Sequence, residues 1–194
     1  MAPAADAVDR DGAARSWPGD REALLDLARR AVTATARGRP LPEVPRGAWF
    51  DAPGAAFVSL HRHGQLRGCI GCLPPHEHPL ADTVVRMAVA AARDDPRFPP
   101  VGPDELDNLV IEISVLGPLR PVNGPDDLVV GRDGLVVERG GHRGVLLPQV
   151  ASEHCWDATR FLDETCRKAH LPPGAWREGA DVRAFSADVF AEVR

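Results

Sequence analysis

Residues 55–71 read AAFVSLHRHGQLRGCIG, and the fold follows from how this stretch is parsed. Runs 55–61 and 65–71 read as two strands separated by Arg62-His63-Gly64-Gln65. Gly64 supplies the positive φ of a tight turn, so the spacing predicts a β-hairpin that Pro74-Pro75 ends. Pro79 then opens a helix with Leu80, Val84, Met87, Ala88 and Ala91 on one face. Asp95-Pro96 stops it. Residues 109–116, LVIEISVL, alternate as a strand.

Upstream, Asp20 reads as an N-cap for a helix carrying Leu24, Leu27, Ala28, Ala31 and Val32, which Gly38 and Pro40 stop. A loop follows, with Trp49 and Phe50 expected to anchor it. Residues 1–18 are mostly Ala, Asp, Pro and Gly without a period and are expected to form a disordered leader. Downstream, 128–130, 134–138 and 143–147 read as strands, with Gly140-Gly141 turning a second hairpin. A helix is expected from Trp156 to about 169, and a strand over 182–192. Hairpin, helix and strand thus occur twice. Arg67-Gly68-Cys69-Ile70 is echoed by Arg143-Gly144-Val145-Leu146, and Pro74 by Pro148, as an internal duplication would leave them. On that reading the Cys69 thiol is a specialisation of the first copy alone. Antiparallel hairpins with flanking helices imply an α+β fold.

Composition bounds the function. At 194 residues, 44% of them apolar, the chain can bury one domain-sized core. No apolar run reaches membrane-spanning length, so no membrane role is expected. The net charge is −5, which argues against a nucleic-acid partner. The N-terminus lacks a basic region followed by an apolar one, so no secretory signal is read. A cytoplasmic location with reduced thiols is expected for Cys69, Cys72, Cys155 and Cys166.

The chemistry concentrates in Leu66-Arg67-Gly68-Cys69-Ile70-Gly71. Alternation along a strand puts Arg67 and Cys69 on one face, with Cα atoms roughly 7 Å apart. A charge pair at that range is worth about 2 kcal/mol at an effective dielectric near 20, enough to draw the thiol below its ordinary pKa. Gly68 and Gly71 remove bulk beside the sulfur, so a ligand or another backbone could approach. The competing reading is a small buried cysteine in a tight hairpin.

Cys69 and Cys72 have CxxC spacing, but on a strand rather than at a helix N-terminus, and alternation sends the two thiols to opposite faces. His61, His63, His76 and His78 surround them. His61 and His63 could chelate from a strand, but solvated loop histidines are the simpler reading, and no metal or cofactor is expected. Glu112 interrupts an apolar strand. It reads either as an outward-facing residue or as a base or ion-pair partner near Arg67 and Cys69. Gln149, after Pro148, could lend an amide to a ligand or simply lead a helix. Cys155 and Cys166, eleven apart, could share a helix face.

The hexapeptide 66–71 resembles the hallmark segment of the AMMECR domain family. Matching stretches follow in order: Asp95-Pro96-Arg97-Phe98-Pro99, Ile111-Glu112-Ile113-Ser114-Val115-Leu116, and Leu146-Leu147-Pro148-Gln149-Val150-Ala151. Trp156, Phe161-Leu162, Cys166-Arg167-Lys168-Ala169 with Leu171, and Trp176 complete the series. The resemblance implies a single α+β domain over 19–194 of two intertwined lobes, with the hexapeptide lining a groove between them. Prokaryotic members resemble protein A of the AmmeMemoRadiSam system, so Memo-like and radical-SAM proteins are the implied partners. Two positions depart from the family pattern. Cys72 stands where a small or hydroxyl residue is usual, and His170 where Gly would follow Lys168-Ala169.

Three functions remain open. The chain is a cysteine-dependent enzyme acting on a small molecule or modified residue through Cys69, Arg67 and Glu112, with Gly68, Gly71 and Gln149 at the substrate. Alternatively it is a non-catalytic binding or adapter protein with a structural Cys69. The third reading is metal binding through His61, His63, Cys72, His76 and His78.

Overall fold

The structure, a computed structural model, describes residues 20–47, 50–73 and 77–193. The expected leader lies outside these residues, as do Trp49, Pro74, Pro75 and His76. The chain divides into two compact units: one runs to Leu116 and is rejoined by the chain end from Asp188, and the other is Gly117–Ala187.

The first unit holds α1 (Asp20–Ala36), β1 (Ala55–Arg62), β2 (Gln65–Gly71), α2 (Leu80–Arg93), β3 (Leu109–Leu116) and the end of β7 (Asp181–Ala191). β1 is flanked antiparallel by β2 and β3. The β1–β2 turn is His63-Gly64, both left-handed, at φ 52° and 75°. The primed turn therefore needs a positive φ from His63 as well as from Gly64. Val58, Leu60, Ile111 and Ile113 face α1 and α2, where Leu27, Val32, Val84 and Ala88 complete the core. Phe50 packs against this core, as expected. α2 lies close because Gly68 lets it: a Cβ there would stand 2.3 Å from the Ala91 carbonyl oxygen. The chain end is tied in by charge. Arg21 pairs with Asp188, and Arg29 with Glu192, whose carboxylate also accepts the Ile111 amide.

The second unit holds β4 (Arg120–Pro121), β5 (Asp133–Arg139), β6 (His142–Leu146), α3 (Pro148–Glu153), α4 (Ala158–Lys168) and the first part of β7. β5 is flanked antiparallel by β6 and β7, and Gly140-Gly141 makes the turn with φ of 59° and 83°. Leu135, Val137, Phe161, Leu162 and Ala184 form the core against α4. Gly144 allows the contact, since a Cβ there would lie 2.4 Å from the Ala169 amide nitrogen and 2.7 Å from the Thr165 carbonyl oxygen.

Both units thus repeat one plan: hairpin, helix, then a third strand that pairs with the first strand of the hairpin. The registers match at the shared glycine. Gly68 lies opposite Leu60, which lies opposite Ile111; Gly144 lies opposite Val137, which lies opposite Val182. This supports the duplication read from the Arg-Gly echo and confirms the α+β class.

Residues 148–153 form a short helix, so Gln149 leads a helix as one of its two readings had it. Two local expectations are corrected. Residues 128–130 are not a strand: the Asp133 carboxylate takes the Val129 amide and the Val129 carbonyl accepts from Arg132 and Asp133, curling the segment into a turn. Cys155 and Cys166 share no helix, because Cys155 is exposed at φ 52° before Asp157 caps α4, and Cys166 is buried within it. At the other end of α4 the His170 amide donates to the Arg167 carbonyl, and that of Leu171 to the Cys166 carbonyl. His170 (φ 58°) therefore occupies the left-handed C′ position where glycine is usual. Among the described residues, no helix is long and apolar enough to cross a membrane.

Candidate functional site

The site is built on the face of the first unit's sheet that points away from α1 and α2. Strand alternation puts Phe57, Ser59 and His61 of β1, Glu112 and Ser114 of β3, and Cys69 of β2 on this face. Ser59 lies opposite both Cys69 and Glu112, so thiol, hydroxyl and carboxylate form one row across three strands. The Ser59 hydroxyl donates to Cys69 Sγ at 3.2 Å.

Arg67 is not in this row. Leu60 is opposite Gly68 and His61 opposite Leu66, which leaves Arg67 as the extra residue of a β-bulge. The bulge breaks the alternation that would have placed Arg67 beside the thiol. Its guanidinium instead grips Glu105 in a two-point ion pair, Nε to Oε2 at 2.8 Å and Nη2 to Oε1 at 2.9 Å. Arg62 joins at 3.0 Å, and Glu105 Oε1 also accepts the Gly102 amide. The hydrogen bonds from Arg67 hold the Glu105 carboxyl down to about 2.

The cation that acts on the thiol is Arg97. Asp95, buried, accepts the Cys69 amide at 2.8 Å and the Arg97 side chain at 2.7 and 2.9 Å. Arg97 Nη2 in turn donates to the Cys69 carbonyl at 3.2 Å. The hydrogen bonds from Arg97 hold the Asp95 carboxyl far below its ordinary range. An aspartate and an arginine thus take both backbone groups of Cys69. The phenyl ring of Phe98 lies under both guanidiniums, 5.4 Å from that of Arg97 and 5.9 Å from that of Arg67.

Burial pushes the Cys69 thiol up from its ordinary value, and the Ser59 hydrogen bond and Arg97 pull it back only in part. Asp95 and Glu112 push in the same direction as burial. The net shift is upward, opposite to the sequence-based expectation. Cys69 at neutral pH is therefore a protonated, partly buried thiol rather than a standing thiolate.

The two glycines make room for protein. Gly68 faces α2, on the side of the sheet away from the sulfur. Gly71 lies under Phe57, where a Cβ would meet the ring at 2.2 Å. Cys72 is opposite in sense to Cys69: its amide and thiol turn to the Ala56 carbonyl on the helix side of the sheet, and both cysteines are free. Gln149 belongs to the second unit, in the first turn of α3, with Oε1 buried and without a partner among the described residues. Among the described residues no three His, Cys, Asp or Glu side chains group so as to hold a metal ion. His63 and His78 are exposed, and His76 is outside the described residues.

Glu105, Asp95, Arg97 and Ser59 are the candidate-site neighbours that sequence reasoning missed. Glu105 carried a signal, because Gly102-Pro103-Asp104-Glu105 has an acid three residues after a helix start, where it reaches back to the N-cap amide. Asp95 and Arg97 lay within a stretch read as a helix stop and as a family match, with no role in the site. Ser59 becomes visible only once the register is known.

The second unit carries a different row at the same place: Val145, Val136 and Arg183 stand where the first has Cys69, Ser59 and Glu112. The thiol is thus confined to the first repeat.

Comparison with known proteins bears on the family and the fold. The AMMECR1 family model matches residues 25–190. A protein of Thermococcus onnurineus is 45% identical over 186 residues, covering 88% of this chain and 89% of that one. A protein of Pyrococcus furiosus is likewise 45% identical, covering 88% and 87%. The crystal structure of an uncharacterized protein from Pyrococcus horikoshii superposes with a TM-score of 0.83 at 43% identity, covering 88% of this chain and 90% of that one. Match length, identity and shared fold agree that the chain belongs to the AMMECR1 family.

Proposed function

We propose that this chain is a binding protein whose ligand-facing surface is the sheet face of Cys69, Ser59 and Glu112, working with Memo-like and radical-SAM proteins as its resemblance implies. The observation that carries the reading is the placement of Arg67, whose guanidinium is held by Glu105 and not by the thiol. Burial also raises the pKa of the thiol. A nucleophilic cysteine needs thiolate at working pH, whereas a binding face needs only a placed hydrogen-bonding group. A neutral thiol that accepts from Ser59 retains an S–H donor for a ligand.

A second reading keeps Cys69 as a nucleophile toward a small molecule or modified residue. One observation favours it: the Ser59 hydrogen bond to Sγ stabilises developing negative charge, with Glu112 next in the row. That chemistry requires the substrate to trigger thiol deprotonation, because the resting site disfavours it.

Co-expression with the Memo-like and radical-SAM proteins separates the two. The binding reading expects a stable complex that Cys69→Ser still forms, with function retained. A Cys69→Ser variant that folds and assembles normally but loses function contradicts it.

A further inference from the structure

We propose that the Cys69–Ser59–Glu112 face takes a small molecule bearing an aliphatic ammonium group, with the Glu112 carboxylate as its counter-ion. The proposal rests on the binding reading above and names the ligand class for the same face.

Glu112 sits in the middle of β3, half-buried, and has no hydrogen-bond or ion-pair partner among the described residues. The nearby cations are engaged elsewhere: Arg62 and Arg67 on Glu105, and Arg97 on Asp95. The repeat supplies an internal comparison. Arg183, at Glu112's position in the second unit, is ion-paired to both Glu138 and Asp181.

Two further groups on the same face lack partners. Ser114, two residues along β3, is 1% exposed and its hydroxyl makes no hydrogen bond among the described residues. The Nε2 of His61, on β1, is likewise buried without a partner. Buried polar groups are nearly always satisfied, so both groups retain hydrogen-bonding capacity on the Glu112 face. An ammonium supplies three donors, which a carboxylate and a hydroxyl can accept. An anionic ligand would instead meet the Glu112 charge. Glu112 and Cys69 are two strand spacings apart, about 10 Å, so an alkylamine attached at the sulfur can extend along the row toward the carboxylate.

Thiol–disulfide exchange tests this with three reagents of similar size: cystamine (cationic), bis(2-hydroxyethyl) disulfide (neutral) and 3,3′-dithiodipropionate (anionic). At pH 9 the Cys69 thiolate attacks one reagent sulfur. The reagent S–S bond breaks, a mixed disulfide forms, and the departing thiolate takes a proton. Peptide mapping reads the modification at Cys69 alone, and each rate is divided by that of the urea-unfolded chain. The expected result is a preference for cystamine over the neutral reagent of about fivefold at low salt, from one charge pair across a half-buried face. Glu112→Gln, with an unchanged melting transition, is expected to abolish the preference. Equal rates, an anionic preference, or a preference that survives Glu112→Gln overturns the ammonium assignment and leaves the accessible face standing. No modification of folded protein by any reagent overturns the binding face as well.

Discussion

Asp95 Oδ2 accepts the Cys69 amide at 2.8 Å, on the edge of β2 where no strand among the described residues pairs. The same aspartate fixes Arg97, which donates to the Cys69 carbonyl, so an ion pair does the work of a neighbouring strand. An open edge invites pairing with another chain, and a charged pair blocks it. Asp95→Ala leaves the guanidinium without its anion and the Cys69 amide without its acceptor. The expected cost is about 2–3 kcal/mol in chemical denaturation. Hydrogen exchange is expected to show lost protection at the Cys69 amide with β3 unchanged. Protection retained at Cys69 contradicts the edge-capping role.

Arg67 and Glu105 should act as a unit of stability. Glu105→Gln strands two arginines and is expected to cost about 3 kcal/mol. A double-mutant cycle with Arg67→Gln should show strong coupling, because the pair shares two hydrogen bonds. Acid sensitivity follows from the same contact. The Glu105 pKa falls from 4.5 unfolded to about 2 folded, so its contribution is complete above pH 4.5 and is lost as pH falls toward 2. Denaturation midpoints measured from pH 6 to pH 2 should drop across that window, and Glu105→Gln should flatten the drop.

Gly68 and Gly144 are expected to respond alike, since each admits a helix backbone at the same register position of its repeat. Gly68→Ala and Gly144→Ala should each cost about 1–3 kcal/mol through overpacking. Gly124→Ala, with nothing within 4 Å, should stay within about 0.5 kcal/mol. A Gly68→Ala variant as stable as wild type contradicts the close approach of α2.

Much of this architecture was legible in the chain. Alternation in 109–116, the His63-Gly64 and Gly140-Gly141 turns, and the two Arg-Gly echoes carry the strands and their repetition. The α+β class needed nothing more. For the candidate site, strand periodicity reached a shared face but not the wiring between its residues. Cys69 and Glu112 do share a face, as strand periodicity requires, yet they meet through Ser59, which no motif marks. Arg67 was misplaced because a bulge adds one residue to one strand, and periodicity alone cannot reveal where alternation skips. Glu105 and Asp95 are far from the hexapeptide in sequence, and only folding brings their carboxylates to it. The false strand at 128–130 has a similar cause, a side chain, Asp133, capturing a backbone amide that composition assigned to a ladder.

The protonation of Cys69 decides between a binding face and a resting nucleophile, and its alkylation rate measures that protonation directly. Iodoacetamide modification, followed by peptide mapping from pH 6 to pH 10.5, gives the midpoint at which Cys69 becomes reactive. Folded protein is expected to titrate above the unfolded chain, and to react more slowly than it at pH 7. Arg97→Gln should move the midpoint further up and Glu112→Gln should move it down, while Arg67→Gln should leave it in place. A folded-state midpoint at or below that of the unfolded chain, rising when Arg67 is replaced, would contradict the neutral thiol and restore the activated nucleophile.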